Sequence, residues 1–204
     1  MAAQAQTLSN TDFEDWDITP YDDPATYWIS SNYVFLPELG VVTTTRVTGQ
    51  GSPNAIRLQT HKEGSDVAVG FITNTLEDIE AGVGGQPYTG QPTHMDGFYR
   101  YNLPADDTAI LMSIFKNSGI PISINIFKIK GTGNQPVFIP FSFALSPLPI
   151  APDTVIIAAL SSSILGGDDS KAEDGSWIEF DNLMFSGSGA MPPIPKGNFE
   201  AWRT

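Results

Sequence analysis

Aromatic and polar residues alternate through residues 98–101, which read F-Y-R-Y, and side chains of this kind are suited to binding sugars. Sugar rings pack their C–H edges on the faces of Trp and Tyr, while neighbouring polar side chains bond the hydroxyls. In an extended chain Tyr99 and Tyr101 fall on one face, and Phe98 and Arg100 fall on the other. The candidate ligand-binding residues are Trp28, Tyr88, His94, Tyr99, Arg100 and Tyr101.

A structural role for the same rings stays open, because Tyr and Trp often fill the core of a β-sandwich with only a polar atom at its rim. Trp16 and Trp177 are assigned to such core packing. Tyr33 and Asn102 are further candidates for a binding surface, the first as an aromatic ring and the second as a hydrogen-bonding neighbour.

No cluster of residues carries the signature of an enzyme. The chain has no cysteine, and its two histidines, His61 and His94, do not stand at a spacing that binds metals. The G-x-S-x-G pattern of a nucleophile elbow is absent from the sequence. A pair of carboxylates for glycoside hydrolysis stays open, since the two acids can be far apart in the sequence. We therefore predict a protein that is not an enzyme, with a glycoside hydrolase as the less favoured alternative.

The charge balance limits the partners. The net charge is −13, from 23 acidic and 10 basic residues, and it would repel nucleic acid and anionic membranes. A neutral polysaccharide, a surface glycan or a divalent cation would not be repelled. The sequence contains no run of about 20 apolar residues, which predicts no membrane insertion.

Residues 3–5 read A-Q-A, which fits the small-x-small pattern at the end of a signal peptide. We therefore predict an exported protein that is secreted or held at the cell surface. The alternative is an ordinary disordered N-terminus.

Alternation with a period of two predicts an all-β protein. The predicted strands are residues 41–47, 55–60, 66–73, 95–103, 108–115, 120–130, 137–145, 153–161 and 176–186. Clusters rich in Gly, Asn and Ser separate these strands and are typical of turns. Helical periodicity is almost absent, and only residues 75–81 could form a single helical turn. The number and length of the strands favour a two-sheet antiparallel β-sandwich of the jelly-roll type.

The chain divides into three parts. Residues 1–9 are a signal-peptide remnant or a disordered N-terminus, residues 10–186 form the jelly-roll domain, and residues 187–204 begin with a linker rich in Pro and Gly. Residues 199–202 read F-E-A-W and repeat the F-E-D-W of residues 13–16. The repeat predicts the first strand of a further module, so other domains of the same polypeptide are expected partners. In the alternative, the tail folds back onto its own domain.

Several segments, taken in order, resemble the domain family named "putative carbohydrate metabolism domain" and related jelly rolls, similar to carbohydrate-binding modules, in exported Bacteroidetes proteins. The segments that carry the resemblance are F-E-D-W at 13–16 with the following Trp28, G-F-Y-R-Y at 97–101 with D-D-T-A at 106–109, P-D-T-V-I-I at 152–157 with S-S at 161–162, and G-S-W-I-E-F-D-N-L at 175–183. The resemblance covers roughly residues 10–186. It implies a jelly-roll fold, and it implies activity less directly.

The resemblance also implies a calcium site where the first and last strands meet. Its ligands in this sequence would be Glu14 and Asp181. Calcium prefers six to eight oxygen ligands, so backbone carbonyls would have to complete the set. Asn182 stands where such proteins often have a second Asp, which lowers the expected affinity. Alternatively, Glu14 forms an ordinary surface contact and Asp181 accepts bonds from backbone amides.

Three hypotheses of function follow from the sequence. The first is a non-catalytic glycan-binding module of a larger exported or cell-surface protein. The second is a structural or adhesive surface module that does not bind sugar. The third is a glycoside hydrolase.

Overall fold

The computed structural model describes residues 21–75 and 83–203. The elements in chain order are β1 Asp23–Pro24, β2 Ile29–Ser30, α1 Asn32–Leu39, β3 Thr44–Val47, β4 Ala55–Gln59, β5 His61–Glu63, β6 Asp66–Ala68, β7 Phe71–Thr73, β8 Gln86–Pro87, β9 His94–Leu103, β10 Thr108–Asn117, β11 Ile120–Lys130, β12 Gly133–Ala144, β13 Thr154–Leu160, a 3-10 turn Leu165–Gly167, β14 Trp177–Ser186 and β15 Trp202–Arg203.

Two antiparallel sheets form a jelly-roll β-sandwich, as the alternation predicts. The first sheet has the order β11-β10-β13-β7-β2, and β8 pairs with β13 at one end. The second sheet has the order β12-β9-β14-β4-β3. Short pairs, β5 with β6 and β1 with β15, lie outside these two sheets.

The core lies between the inner faces of the two sheets. Alternate residues of every long strand point into it, because successive side chains of a strand face opposite ways. The fully buried members include Ile56, Leu58, Leu103, Leu111, Phe115, Ile157, Ile178 and Phe180. Aromatic rings link the layers, for example Phe115 with Phe185 at 5.3 Å between centroids.

The helix α1 is not predicted by the sequence pattern. It has eight residues, contains Pro37, and lacks a sustained apolar face, so periodicity does not reveal it. It ends at Gly40, whose φ of 71° is the left-handed conformation that glycine adopts without strain. At its start the buried Asn32 accepts bonds from the backbone N–H groups of Thr43 and Thr44, both at 2.9 Å, which ties α1 to β3.

The tail beyond residue 186, where the sequence predicts the end of the domain, packs on the same domain. Ile194 and Phe199 are buried members of the core, and the Phe199 ring lies 5.6 Å from that of Trp28. The strand β15 pairs with β1, and the backbone N–H of Leu183 donates to the carbonyl of Gly197 at 2.8 Å. The second F-E-x-W segment therefore contacts the domain that precedes it in the chain. The first copy, at 13–16, and the helical turn considered at 75–81 lie outside the described residues, apart from residue 75.

In the part of the chain that the structure describes, no helix has both the length and the apolar character needed to cross a lipid bilayer.

Candidate functional site

The outer face of the second sheet brings aromatic, charged and amide side chains together. On β14, Ile178 and Phe180 point into the core, so Trp177 and Glu179 fall on the opposite face. The register places Trp177 opposite Gln59 on one side and Asn102 on the other. It likewise places Glu179 between two cationic residues of the neighbouring strands, so the face is built from two adjacent rows of cross-strand partners.

A buried carboxylate organises one of these rows. Glu179 is fully buried, and its Oε1 accepts bonds from Arg57 Nε at 2.8 Å and from an Arg57 terminal nitrogen at 2.6 Å. Its Oε2 accepts a bond from Arg100 Nε. Both arginine side chains stay partly exposed, 30% for Arg57 and 25% for Arg100. The carboxylate thus fixes two cationic planes, side by side, on the surface of the sheet.

Each of these cationic planes covers an aromatic ring. The guanidinium carbon of Arg57 lies 4.3 Å from the centroid of the Trp177 ring, and that of Arg100 lies 4.4 Å from the Phe138 ring. Such contacts are attractive because the face of an aromatic ring is negative. Trp177 is half-buried, so its orientation is set while part of its ring remains accessible.

Amide side chains complete the row that contains Trp177. Gln59 is half-buried and Asn102 is exposed, and both flank Trp177 in register. Asn134 of β12 is opposite Asn102 and is also exposed. An amide group offers both donors and acceptors, which matches the mixed hydrogen bonding of a sugar hydroxyl. The row therefore combines one ring with three groups that can bond hydroxyls.

Three of the six predicted ligand-binding residues belong to the core. Trp28, Tyr88 and Tyr101 are 2%, 5% and 8% exposed, so the prediction that they present open ring faces is wrong. The Trp28 indole N–H donates to the Lys196 carbonyl at 3.1 Å, and the Tyr101 hydroxyl bonds the Thr132 hydroxyl at 2.9 Å. Burial raises the pKa of Tyr88 to about 12. The stated alternative, that these rings fill the sandwich, is the one observed.

The other three predicted ligand-binding residues, Tyr99, Arg100 and His94, do not lie together in the structure. Tyr99 is half-buried on the inner face and stacks on Tyr101 at 6.0 Å, which confirms that these two tyrosines share a face. Arg100 lies on the outer face beside Glu179, as described above. His94 begins β9 and bonds the Thr93 hydroxyl at 3.0 Å. Six residues of strand separate His94 from Arg100, a distance of about 20 Å, so they do not form one site.

Sequence reasoning missed the ring at the centre of the outer face, since Trp177 was assigned to the core. The signal was present, because the alternation in 176–186 places Trp177 with Glu179 and opposite to Ile178 and Phe180. A glutamate on the same parity as a tryptophan indicates the outer face. The arginine partners on β4 and β9 could be found only once the register was known.

A second polar site lies at the loop of residues 49–54. Asp181 is buried and accepts bonds from the Gln50 backbone N–H at 2.7 Å and from the Ser52 hydroxyl at 2.9 Å. Glu200, from the tail, accepts bonds from the backbone N–H of Asn54 at 3.1 Å and from its side-chain amide at 3.0 Å. Burial raises the pKa of Asp181, the hydrogen bonds from Gln50, Ser52 and Asn182 oppose that rise, and the nearby Glu200 adds the smallest contribution to it. Glu14, the other predicted ligand, lies outside the described residues.

No protein-family model matches the chain, and no curated protein does. Among solved structures, the chain is similar to a "putative glycoside hydrolase" from Bacteroides thetaiotaomicron, with a TM-score of 0.58 and 15% identity, over 79% of this chain and 63% of that one. The chain thus spans less than two thirds of that protein's length. At this identity the likeness shows the fold alone.

Weaker similarities involve sugar-binding proteins. A family 6 carbohydrate-binding module has a TM-score of 0.41 and 12% identity, over 72% of this chain and 85% of that one. The family 11 carbohydrate-binding module from Clostridium thermocellum has a TM-score of 0.45 and 11% identity, over 83% and 98%. Scores below 0.5 carry no argument about this chain.

Proposed function

We propose that the chain is a non-catalytic glycan-binding module of a larger exported or cell-surface protein. The observation that carries this proposal is the row on the outer face of the second sheet, in which Trp177 is flanked by Gln59 and Asn102. A sugar ring would pack on the accessible part of the indole, and the amides would bond its hydroxyls.

The outer face suits binding better than hydrolysis. Glycosidases use two carboxyl groups that face each other across the substrate. The carboxylate next to Trp177 on its face of β14 is Glu179, which is fully buried and bonded to two guanidinium groups. A carboxylate held in this way is positioned to order the arginines, and it has no access to a substrate.

Affinity electrophoresis through gels that contain a panel of plant, algal and bacterial polysaccharides tests the proposal. We expect retardation by at least one neutral polysaccharide. The substitution Trp177→Ala should weaken the affinity for that polysaccharide roughly thirtyfold, because a central aromatic contact is worth about 2 kcal/mol or more. Tyr21→Ala is the matched control, since Tyr21 is 40% exposed, lies outside the strands of the second sheet and should leave the affinity unchanged. No retardation on any member of the panel would contradict the proposal and favour a structural or adhesive module.

We also propose that a calcium ion binds at the loop of residues 49–54, with Glu200 in the position expected for Glu14. The fit rests on two carboxylates, Asp181 and Glu200, whose side chains both accept hydrogen bonds from the loop of residues 49–54. No group of three or more His, Asp or Glu side chains that could hold a metal is found within residues 21–75 and 83–203. Carbonyl oxygens of the loop would therefore have to supply the remaining ligands.

Thermal unfolding in calcium chloride and in EDTA tests the calcium site. We expect calcium to raise the melting temperature of the wild-type chain but not that of Asp181→Asn, while the exposed-site control Asp153→Asn responds like the wild type. Because the pKa of Asp181 is raised, protons compete with the cation, and the calcium effect should shrink as the pH falls through that pKa. An equal response in Asp181→Asn would contradict the site.

A further inference from the structure

The tail occupies a slot on the domain in which each constant side chain of its F-E-x-W segment makes a contact. We define the slot by the residues that contact the tail: Ala25, Trp28, Asn54 and Leu183. The Phe199 ring is 1% exposed and packs 5.6 Å from Trp28. The Glu200 carboxylate accepts hydrogen bonds from the backbone N–H and from the side-chain amide of Asn54. The Trp202 indole N–H donates to the Phe199 carbonyl, and the Trp202 ring packs on the core. Each constant position of the motif therefore has a defined function in the slot.

The same motif occurs a second time in the chain. Residues 13–16 read F-E-D-W, and Phe13, Glu14 and Trp16 stand at the spacing of Phe199, Glu200 and Trp202. The variable position is occupied in the slot by Ala201, which is half-buried and contributes its backbone carbonyl to the Ala25 N–H at 2.9 Å. A backbone contact accepts any side chain, so Asp15 is compatible there. The first copy therefore has the same three residue types whose side chains contact the slot in the second copy.

We propose that residues 11–17 are a second, weaker occupant of this slot and compete with residues 197–203 for it. This proposal does not depend on glycan binding. Two differences between the copies explain why the C-terminal one is bound. A Cβ atom on Gly197 would lie 2.3 Å from the Leu183 carbonyl oxygen, and the first copy has Thr11 at that position. Arg203 pairs with Asp23 at 3.0 Å, and the first copy has Asp17 there, which would be repelled.

The attachment of the tail is suited to exchange. Residues 187–193 read G-S-G-A-M-P-P and form no strand or helix, and most of them are exposed. The strand β15 contributes only two residues to its pairing with β1. Most of the tail's attachment is therefore in side chains that the first copy also has, and few sheet bonds have to break before one copy replaces the other.

Full-length variants can evict the C-terminal copy without removing its aromatic side chains. Gly197→Val places a side chain against the Leu183 backbone, and Arg203→Asp repels Asp23. Asn198→Ala is the matched control, because Asn198 is an exposed tail residue. The first copy is disabled separately by the double substitution Phe13→Ala and Trp16→Ala. The readouts are amide hydrogen exchange at Asn54, whose N–H is bonded by Glu200, and the melting temperature.

The variants should behave non-additively. In the wild-type and Asn198→Ala backgrounds, disabling the first copy should change neither readout, because the slot is already filled. In Gly197→Val and in Arg203→Asp, Asn54 should stay protected, and disabling the first copy should then lower its protection about tenfold, as expected for a lost hydrogen bond to a carboxylate.

Two results would overturn the competition. In the first, disabling the first copy has no further effect in either evicted background, so residues 11–17 do not enter the slot. In the second, Asn54 loses its protection as soon as Gly197→Val or Arg203→Asp is introduced, so no segment replaces the evicted tail. If Gly197→Val fails to fold, Gly197→Ala gives the same comparison with a smaller side chain, because its Cβ atom already meets the Leu183 carbonyl oxygen.

Discussion

At the scale of single residues, Glu179 determines the shape of the outer face. Its two oxygens bind different arginines, and each arginine covers a different aromatic ring. Taking the carboxylate out of water has a free-energy cost that only these paired bonds offset. The arrangement therefore makes the position of Trp177 depend on a residue that does not itself reach the surface.

Replacing Glu179→Gln should lower the free energy of unfolding by about 2 kcal/mol, because two partly buried guanidinium groups lose their counter-charge. Urea unfolding followed by circular dichroism measures this. The control is Glu38→Gln, at an exposed position of α1, where we expect a change within about 0.5 kcal/mol. Equal effects of the two substitutions would show that the buried bridge contributes nothing specific.

At the scale of elements, the long strands were predicted well and the short irregular ones were not. The segment 120–130 is confirmed as β11 without change, and 95–103 and 176–186 differ from β9 and β14 by one residue. These strands alternate because one face of each contacts the core. The segment 66–73 was predicted as one strand, but it divides into β6 and β7 around Gly70. The division depends on contacts with distant segments, which no local pattern records.

Gly70 lies where the chain passes close to β4. A Cβ atom there would be 2.4 Å from the Gln59 backbone nitrogen and 2.6 Å from the Thr43 carbonyl oxygen. Because both neighbours are backbone atoms, Gly70→Ala should destabilise the protein by about 3 kcal/mol. Gly64→Ala is the control, because a Cβ atom at Gly64 would have no other atom within 4 Å. Only the conformational strain of its φ of 63°, about 1 kcal/mol, is expected there.

Urea unfolding of the two glycine variants, at the same pH and temperature, measures the loss in the free energy of unfolding caused by each. A cost at Gly70 no larger than that at Gly64 would mean that the backbone at this approach can move apart, and that the division between β6 and β7 is not enforced by contact.

The candidate site was predicted less completely than the fold. The alternation with tyrosines identifies Arg100, whereas for Trp28, Tyr88 and Tyr101 the sequence leaves both a surface and a core position open, and they lie in the core. Alternation tells which residues share a face, and it does not tell which face is buried. The face of a strand is decided by the sheet that packs against it, so the assignment requires the tertiary fold.

At the scale of the whole molecule, the sandwich is completed by its own tail. The sequence predicts a boundary at residue 186, because the composition of residues 187–197 is that of a linker. The segment is a linker in composition, yet the F-E-x-W motif that follows it returns to the domain through Phe199 and Glu200. The composition of a segment indicates how stiff it is, whereas the contacts made by the residues after it determine which part of the protein the chain reaches.

The central claim is that the outer face of the second sheet binds a glycan around Trp177. Nuclear magnetic resonance titration of the labelled chain, with an oligosaccharide of whichever polysaccharide retards it, tests this most directly. We predict that the largest shift changes fall on the Trp177 indole N–H and on the side-chain amides of Gln59 and Asn102. Changes centred on α1 or on the first sheet, with these three signals unmoved, would contradict the claim.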